Sequence, residues 1–249
     1  MNKLFVDRKG LNDQAYMKTN KIVDTYNKYS TVIWKNGILE ISEKATTIRS
    51  FRLHKPKRLK INIKILETDE TIQTNNNILG KNSFILIEDK LLKIPVELAT
   101  NEKLNYYLCN LIENGDVFKL NNNCDIQNLN ISVGTNYLKD YILQPRLGDG
   151  LYIEIHNTPH FHQPLNSDCG GYLILGKIKR DELILTAFRI PFGKAIYTPP
   201  NIHHCDACLV GEYNVIYTIT EKYKTYLIYN EDNKQFVDVE FIDYSIFNK

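Results

Sequence analysis

The sequence predicts a mainly β protein, built as a sandwich or barrel of short strands. Three observations predict it. Short apolar runs recur through the second half of the chain, separated by Gly, Pro, Asn and Asp. The dipeptide Asn36-Gly37 stands between two strand-like runs. In Lys60-Ile61-Asn62-Ile63-Lys64-Ile65, apolar and polar residues change places at each step, the period of a half-buried strand.

Taken in order, the elements begin with an exception. Within residues 11–30, Ala15, Ile22, Val23 and Tyr26 fall at spacings that share a helix face, so a leading helix is expected there. Val32-Ile33-Trp34 and Ile38-Leu39-Glu40-Ile41 then form a hairpin about Asn36-Gly37. Ile48 to Leu53, Leu59 to Leu66 and Phe84 to Ile87 continue the β pattern, and residues 96–114 have room for one helix. From about Tyr141 the chain reads as strand and turn, with strands at Tyr152–Ile155, Tyr172–Ile178, Glu182–Ile190, Lys194–Tyr197, Tyr213–Thr220, Thr225–Tyr229 and Phe236–Ile242. Two regions are expected: 1–140, β-rich with the leading helix, and 141–249, a barrel. The first is either a second, degenerate barrel or an extension of the sheets.

Composition narrows the class of function. Hydrophobic residues make up 43% of the 249 residues, enough to bury a core. The formal net charge of +2 argues against a dedicated nucleic-acid binder. The strip from Arg49 to Lys64 has seven Lys or Arg and no acid, which reads as the solvated face of a strand. No apolar run is long enough to span a bilayer and no leader is evident, so a cytoplasmic protein is expected, with no membrane partner. Cysteines at 109, 124, 169, 205 and 208 are odd in number and read as free thiols. Cys205 and Cys208 lack the further ligands of a zinc knuckle, and on a strand they would point to opposite faces. Asn75–Asn77 and Asn121–Asn123 read as loop tips.

Five of the six histidines lie between positions 156 and 204. On a strand, residues two apart face the same side, so His160 and His162 can direct two imidazoles at one point. A third ring from a later strand completes a three-ligand face with open positions for water or substrate. His203 and His204 are adjacent, so only one faces inward; spacing selects His204. His156 shares the 160/162 parity and is a candidate to line the same pocket. Arg146, Lys177 and Arg189 are candidates to hold a substrate carboxylate or phosphate.

These residues resemble the cupin superfamily. Cupins carry His-x-His on one strand, and later Gly, five residues, Pro, and a His after a short turn. Gly193 and Pro199 have that spacing, and His204 stands at the ligand position. Asn201 replaces the usual turn Gly and tolerates the same left-handed backbone. The resemblance covers roughly residues 148–229 and implies a small antiparallel jelly-roll barrel in the C-terminal half. The first motif departs from the pattern. Seven positions before Gly176, where Glu is usual, stands Cys169, and residues are inserted after His162. That stretch is similar to the cysteine dioxygenase branch, which holds ferrous iron through three His.

The resemblance therefore implies a divalent metal, Fe(II) first and Zn or Mn as alternatives, on His160, His162 and His204. It implies Cys169 as the catalytic residue modulating the site, with Arg146, Arg189 and His156 toward substrate. Three neutral imidazoles leave a divalent ion its full charge, which suits an anionic substrate. The expected function is a metal-dependent enzyme acting on a small polar or anionic metabolite, a non-heme iron oxygenase. The alternatives are a sugar or sugar-phosphate isomerase or epimerase, and a non-catalytic small-molecule binder. The expected partner is a small molecule rather than nucleic acid, with a homodimer as the assembly considered.

Overall fold

The computed structural model describes residues 7–10, 15–26, 30–67, 82–120, 125–217, 220 and 222–244. Its strands, in chain order, are β1 (Asp7–Lys9), β2 (Ala15–Tyr26), β3 (Thr31–Lys35), β4 (Ile38–Ile41), β5 (Leu59–Asn62), β6 (Lys64–Leu66), β7 (Asn82–Ile87) and β8 (Leu91–Leu98). Then follow β9 (Asn110–Ile112), β10 (Val117–Lys119), β11 (Ile126–Val133), β12 (Tyr152–His156), β13 (His160–Pro164), β14 (Gly170–Gly171) and β15 (Leu173–Lys179). The last are β16 (Glu182–Arg189), β17 (Ala195–Thr198), β18 (His203–Cys205), β19 (Leu209–Tyr217), β20 (Tyr223–Asn230) and β21 (Asp238–Asp243).

They form three sheets. One runs β1-β2-β11-β19-β13-β17-β9, with β14 added at β19. The second large sheet runs β21-β8-β16-β15-β18-β12-β20-β7-β6, with β5 paired to β16. The small third sheet is β10-β3-β4. The second sheet is mixed: β8 lies parallel to both β16 and β21, and β7 lies parallel to β20. Among the described residues no sheet closes on itself, so the mainly β class holds without a closed jelly-roll barrel. Strands from both sides of residue 140 interleave: β2 and β11 join β19, and β5 and β8 join β16. The first half extends the sheets of the second.

Two apolar cores follow from strand alternation. Leu129, Ile131 and Val215 of the first sheet and Leu173, Leu175, Leu183 and Leu185 of the second share one core. The opposite face of the first sheet contributes Phe161 and Ile216 to another, with Val32, Trp34 and Phe118 of the small sheet. Each fully buried aliphatic or aromatic side chain contributes about 1.5–3 kcal/mol.

Two expectations are overturned. Residues 15–26 are strand β2, not a helix. Its ladder to β11 slips twice, and Asn20 and Val23 are the residues left over. Each bulge inserts an extra residue and breaks the period of two, which is why the apolar spacing mimics a helix. The rest of the expected helix, 11–14 and 27–29, lies outside the described residues. Ile48–Leu53 joins no strand ladder. Ile48 is 91% exposed, while Arg49 is tied to Glu113 and Asp116.

Other elements agree. Asn36 and Gly37 have φ of 50° and 84°, the pair of positive values that a two-residue hairpin turn needs. Leu59–Leu66 divides at buried Ile63, where β5 on β16 gives way to β6 on β7. The helix expected in 96–114 is one turn, Asn101–Leu104, capped by Thr100 and followed by a 3-10 turn. Asn75–Asn77, Asn121–Asn123 and Cys124 lie outside the described residues.

Candidate metal centre

Strand β13 lies between β17 and β19. Its outward Phe161 belongs to the aromatic core, while His160 and His162 turn to the opposite face. Across from them, β18 lies between β12 and β15 and brings in His204. Asn201, at φ 63°, turns the chain into β18, and its N–H donates to the carbonyl of His156 at 2.8 Å. His156 closes β12. The four rings are neighbours. Centroids are 4.4 Å apart for His156–His160, 4.5 Å for His160–His204, 4.9 Å for His156–His204 and 5.4 Å for His160–His162.

Their ligand atoms form two overlapping groups, each with its atoms within 4.8 Å of one another. One is His156, His160 and His204; the other is His160, His162 and Asp206. The set expected from sequence, His160, His162 and His204, is thus divided, with His160 common to both halves. Of the residues not shared, His156 keeps 8% exposure and His204 1%, against 5% for Asp206 and none for His162, so His156 marks the more open end. The first group is therefore the outer one.

Hydrogen bonding shows which nitrogens are free. His204 Nδ1 donates to the Ile202 carbonyl at 2.8 Å, leaving the lone pair on Nε2. His156 Nδ1 is paired with the Thr158 hydroxyl at 2.9 Å. His156 Nε2, His160 Nδ1, both nitrogens of His162 and His204 Nε2 are buried without a hydrogen bond. Unpaired buried groups cost about 1–3 kcal/mol each. Native interiors rarely keep them without a use. A ligating imidazole fixed through its other nitrogen is the usual arrangement around a metal, and His204 has it.

The charges follow the same geometry. Burial, then the charge of His204, lowers His156 to about 4. Burial, then the neighbouring rings, lowers His160 well below the usual range. Both are neutral, ligand-ready imidazoles. Burial also opposes charge on His204, but Glu154 outweighs it and the net shift is upward; Glu154 Oε1 lies 3.4 Å from Nε2. Asp206 accepts hydrogen bonds from Tyr152, at 3.0 Å, and from Tyr217. Burial would raise the Asp206 carboxyl, yet the nearby His162 ring and Tyr217 hold it well below the usual carboxylate range. His162 Nε2 lies 3.5 Å from Asp206 Oδ2. Beyond them, Arg8 donates to the Tyr137 hydroxyl at 2.8 Å. Burial works against its charge, but Tyr137, Tyr152 and Asp206 keep it protonated.

The remaining predicted residues lie elsewhere. Cys169 joins neither ligand group. Its thiol donates to the Glu212 carbonyl at 2.8 Å, against Gly211, where any Cβ would meet Cys169 Cα at 3.0 Å. Arg146 is exposed, and its backbone N–H donates to Asp149. Arg189 is paired with Asp243 at 2.8 Å. Lys177 lies over the Tyr106 ring. Cys205 and Cys208 share a side-chain hydrogen bond instead of facing apart, because β18 ends at Cys205 and the chain turns. Among the described residues no cysteine joins a ligand group.

Sequence reasoning missed Asp206, Arg8 and Tyr217. Asp206 carried a signal: His204-Cys205-Asp206 has the same two-residue spacing that singles out His160 and His162. It sits inside a CxxC, where the sequence reading turns on the two cysteines.

No protein-family model matches the chain, and no curated protein or solved structure shows detectable similarity to it. Among the described residues, no helix is long and apolar enough to cross a membrane.

Proposed function

We propose that this chain is a metal-dependent enzyme acting on a small polar or anionic metabolite, and that its reaction is an oxygenation at non-heme iron. The observation that carries the reading is four histidines whose rings nearly touch, with His156 Nε2, His160 Nδ1 and His162 Nδ1 buried and unpaired, and His204 Nε2 and His162 Nε2 facing carboxylates at 3.4 and 3.5 Å. Imidazole nitrogen suits iron, zinc and copper, so the donor set fits such an ion. His156, His160 and His204 would hold it. Ferrous iron, when bound, supplies Lewis acidity and redox capacity at positions left open to substrate.

The chain's own residues support that chemistry. The slight exposure of His156 and His160 marks the side from which a substrate enters. The three imidazole ligands are neutral and Glu154 beside His204 offsets part of the ion's charge, which leaves a net positive centre for an anionic group on the substrate. The buried walls exclude water and strengthen each electrostatic contact.

Metal analysis of the purified protein tests the reading. Wild type retains a divalent metal after anaerobic iron loading, and His160→Ala, which removes a ligand common to both groups, loses it. Wild type without metal would overturn the proposal. Oxygen uptake with small carboxylates and thiols then tests the reaction class.

One observation favours a second reading, an isomerase or epimerase. Glu154 beside His204, at 3.4 Å, makes a carboxylate–imidazole pair able to hold and pass a proton. That reading predicts turnover without oxygen and its loss in Glu154→Gln.

A further inference from the structure

The outer group leaves one residue unexplained. An ion on His156, His160 and His204 satisfies the free nitrogens of His156 and His204 and one nitrogen of His160. His162 then remains wholly buried, with Nδ1 unpaired and Nε2 facing Asp206 Oδ2 at 3.5 Å, beyond a good hydrogen bond. Packing does not need a polar ring there, since an apolar side chain of similar volume would avoid the desolvation cost.

We propose that His160, His162 and Asp206 form a second cation position, beside the first and sharing His160 with it. The proposal rests on the reading of the outer group as a metal site. Three features point to an ion. The ligand atoms lie within 4.8 Å of one another, the span that one ion can bridge. Asp206 is hydrogen-bonded on both oxygens, by Tyr152 and Tyr217, and ligating carboxylates are ordinarily oriented in this way. Each oxygen still has a lone pair to give.

The two positions differ in chemistry. The outer one is neutral and meets the slightly exposed rings. The inner one is anionic, and its three residues are as buried as those of the outer one. Were both filled at once, His160 would have to serve one ion through each ring nitrogen and lose its N–H proton to water. Asp206 supplies the negative charge that makes a second cation tolerable beside the first. Carboxylate with imidazole suits Mn(II), Fe(II), Co(II) or Zn(II).

Cobalt titration of the full-length, chelator-stripped protein tests this, with bound Co(II) measured directly and its visible absorption followed. Wild type is expected to take up two equivalents. Asp206→Asn and His204→Ala are each expected to take up one, and that retained equivalent shows that the variant is folded. Should Asp206→Asn fail to fold, His162→Gln leaves the carboxylate and its tyrosines intact and is expected to bind one. A wild type that saturates at one equivalent, unchanged by Asp206→Asn and His162→Gln, overturns the second position and leaves the first. A single equivalent that Asp206→Asn abolishes and His204→Ala retains overturns the outer site. No binding at all overturns both.

Discussion

On one side of β13, Phe161 stacks on Phe118 with centroids 5.8 Å apart and meets Trp34 edge-on at 6.5 Å. On the other side, one residue before and one after, His160 and His162 stand among rings that leave nitrogens unpaired. Both faces are buried, and the first leaves Trp34 Nε1 unpaired where the second leaves five imidazole nitrogens without a hydrogen bond. An apolar interior is satisfied by close packing alone. A polar interior needs a partner for every donor and acceptor, and the histidine face lacks several. The difference separates the part of this strand that packs the aromatic core from the part that carries candidate ligand atoms.

Removing the aromatic face has the largest expected effect. Phe161→Ala should cost about 3–5 kcal/mol in denaturant unfolding, the range for a buried aromatic truncated to Ala. If the loss is under about 1 kcal/mol, the two faces are not distinct in kind.

Acid probes the other face in metal-free protein. His156 takes its proton near 6.5 when unfolded and at about 4 when folded. Between those values the unfolded chain binds more protons, so stability falls as pH drops from 6.5 toward 4, by up to about 3 kcal/mol. The raised His204 works in the opposite sense, because its pairing with Glu154 is lost as pH rises through its folded value. That loss lies above 6.5, outside this window, whereas His160 and His203, both lowered by burial, add to the fall, which should be larger still in Glu154→Gln. Unfolding midpoints across pH 4–7 measure it.

Tyr217→Phe removes one hydrogen bond from a buried carboxylate. It should cost about 1.5–3 kcal/mol in stability. Thermal unfolding checks the cost. Phe161→Ala, by contrast, should leave the stoichiometry of cobalt binding unaltered wherever the protein remains folded.

The smallest effect tests the turn that brings the small sheet over Phe161. Gly37 has φ 84°, and an added Cβ would sit 3.0 Å from Gln163 Nε2. Gly37→Ala should cost about 1 kcal/mol with metal binding unchanged. Measurement of both on one sample separates the packed face from the ligand face.

Local signals were legible wherever a rule of period or turn operates without interruption. The hairpin at Asn36-Gly37, the alternation at 60–65 and most strands after 150 belong here. So do the pairing of His160 with His162 and the choice of His204, buried at 1%, over His203. Strand β2 was not legible, because its two bulges erase the alternation that marks a strand. The second ligand group was half legible. His162 lay in view, but Asp206 acquires meaning only through Tyr152, which is 54 residues away, and Tyr217. Arg8 and Tyr137, 129 residues apart, carried no signal at all.

The amino-acid order by itself determined the β class, the strand-borne histidine pair and the later histidine that joins it, since each depends on neighbours within a few residues. Only tertiary structure decided that the halves share sheets, that His156 and Asp206 are ligand candidates, and that Cys169, Arg146 and Arg189 are not at the cluster. Those outcomes depend on which distant strands pair and in what register. Pairing between distant strands is governed by burial summed over the whole chain, which no short window of sequence contains.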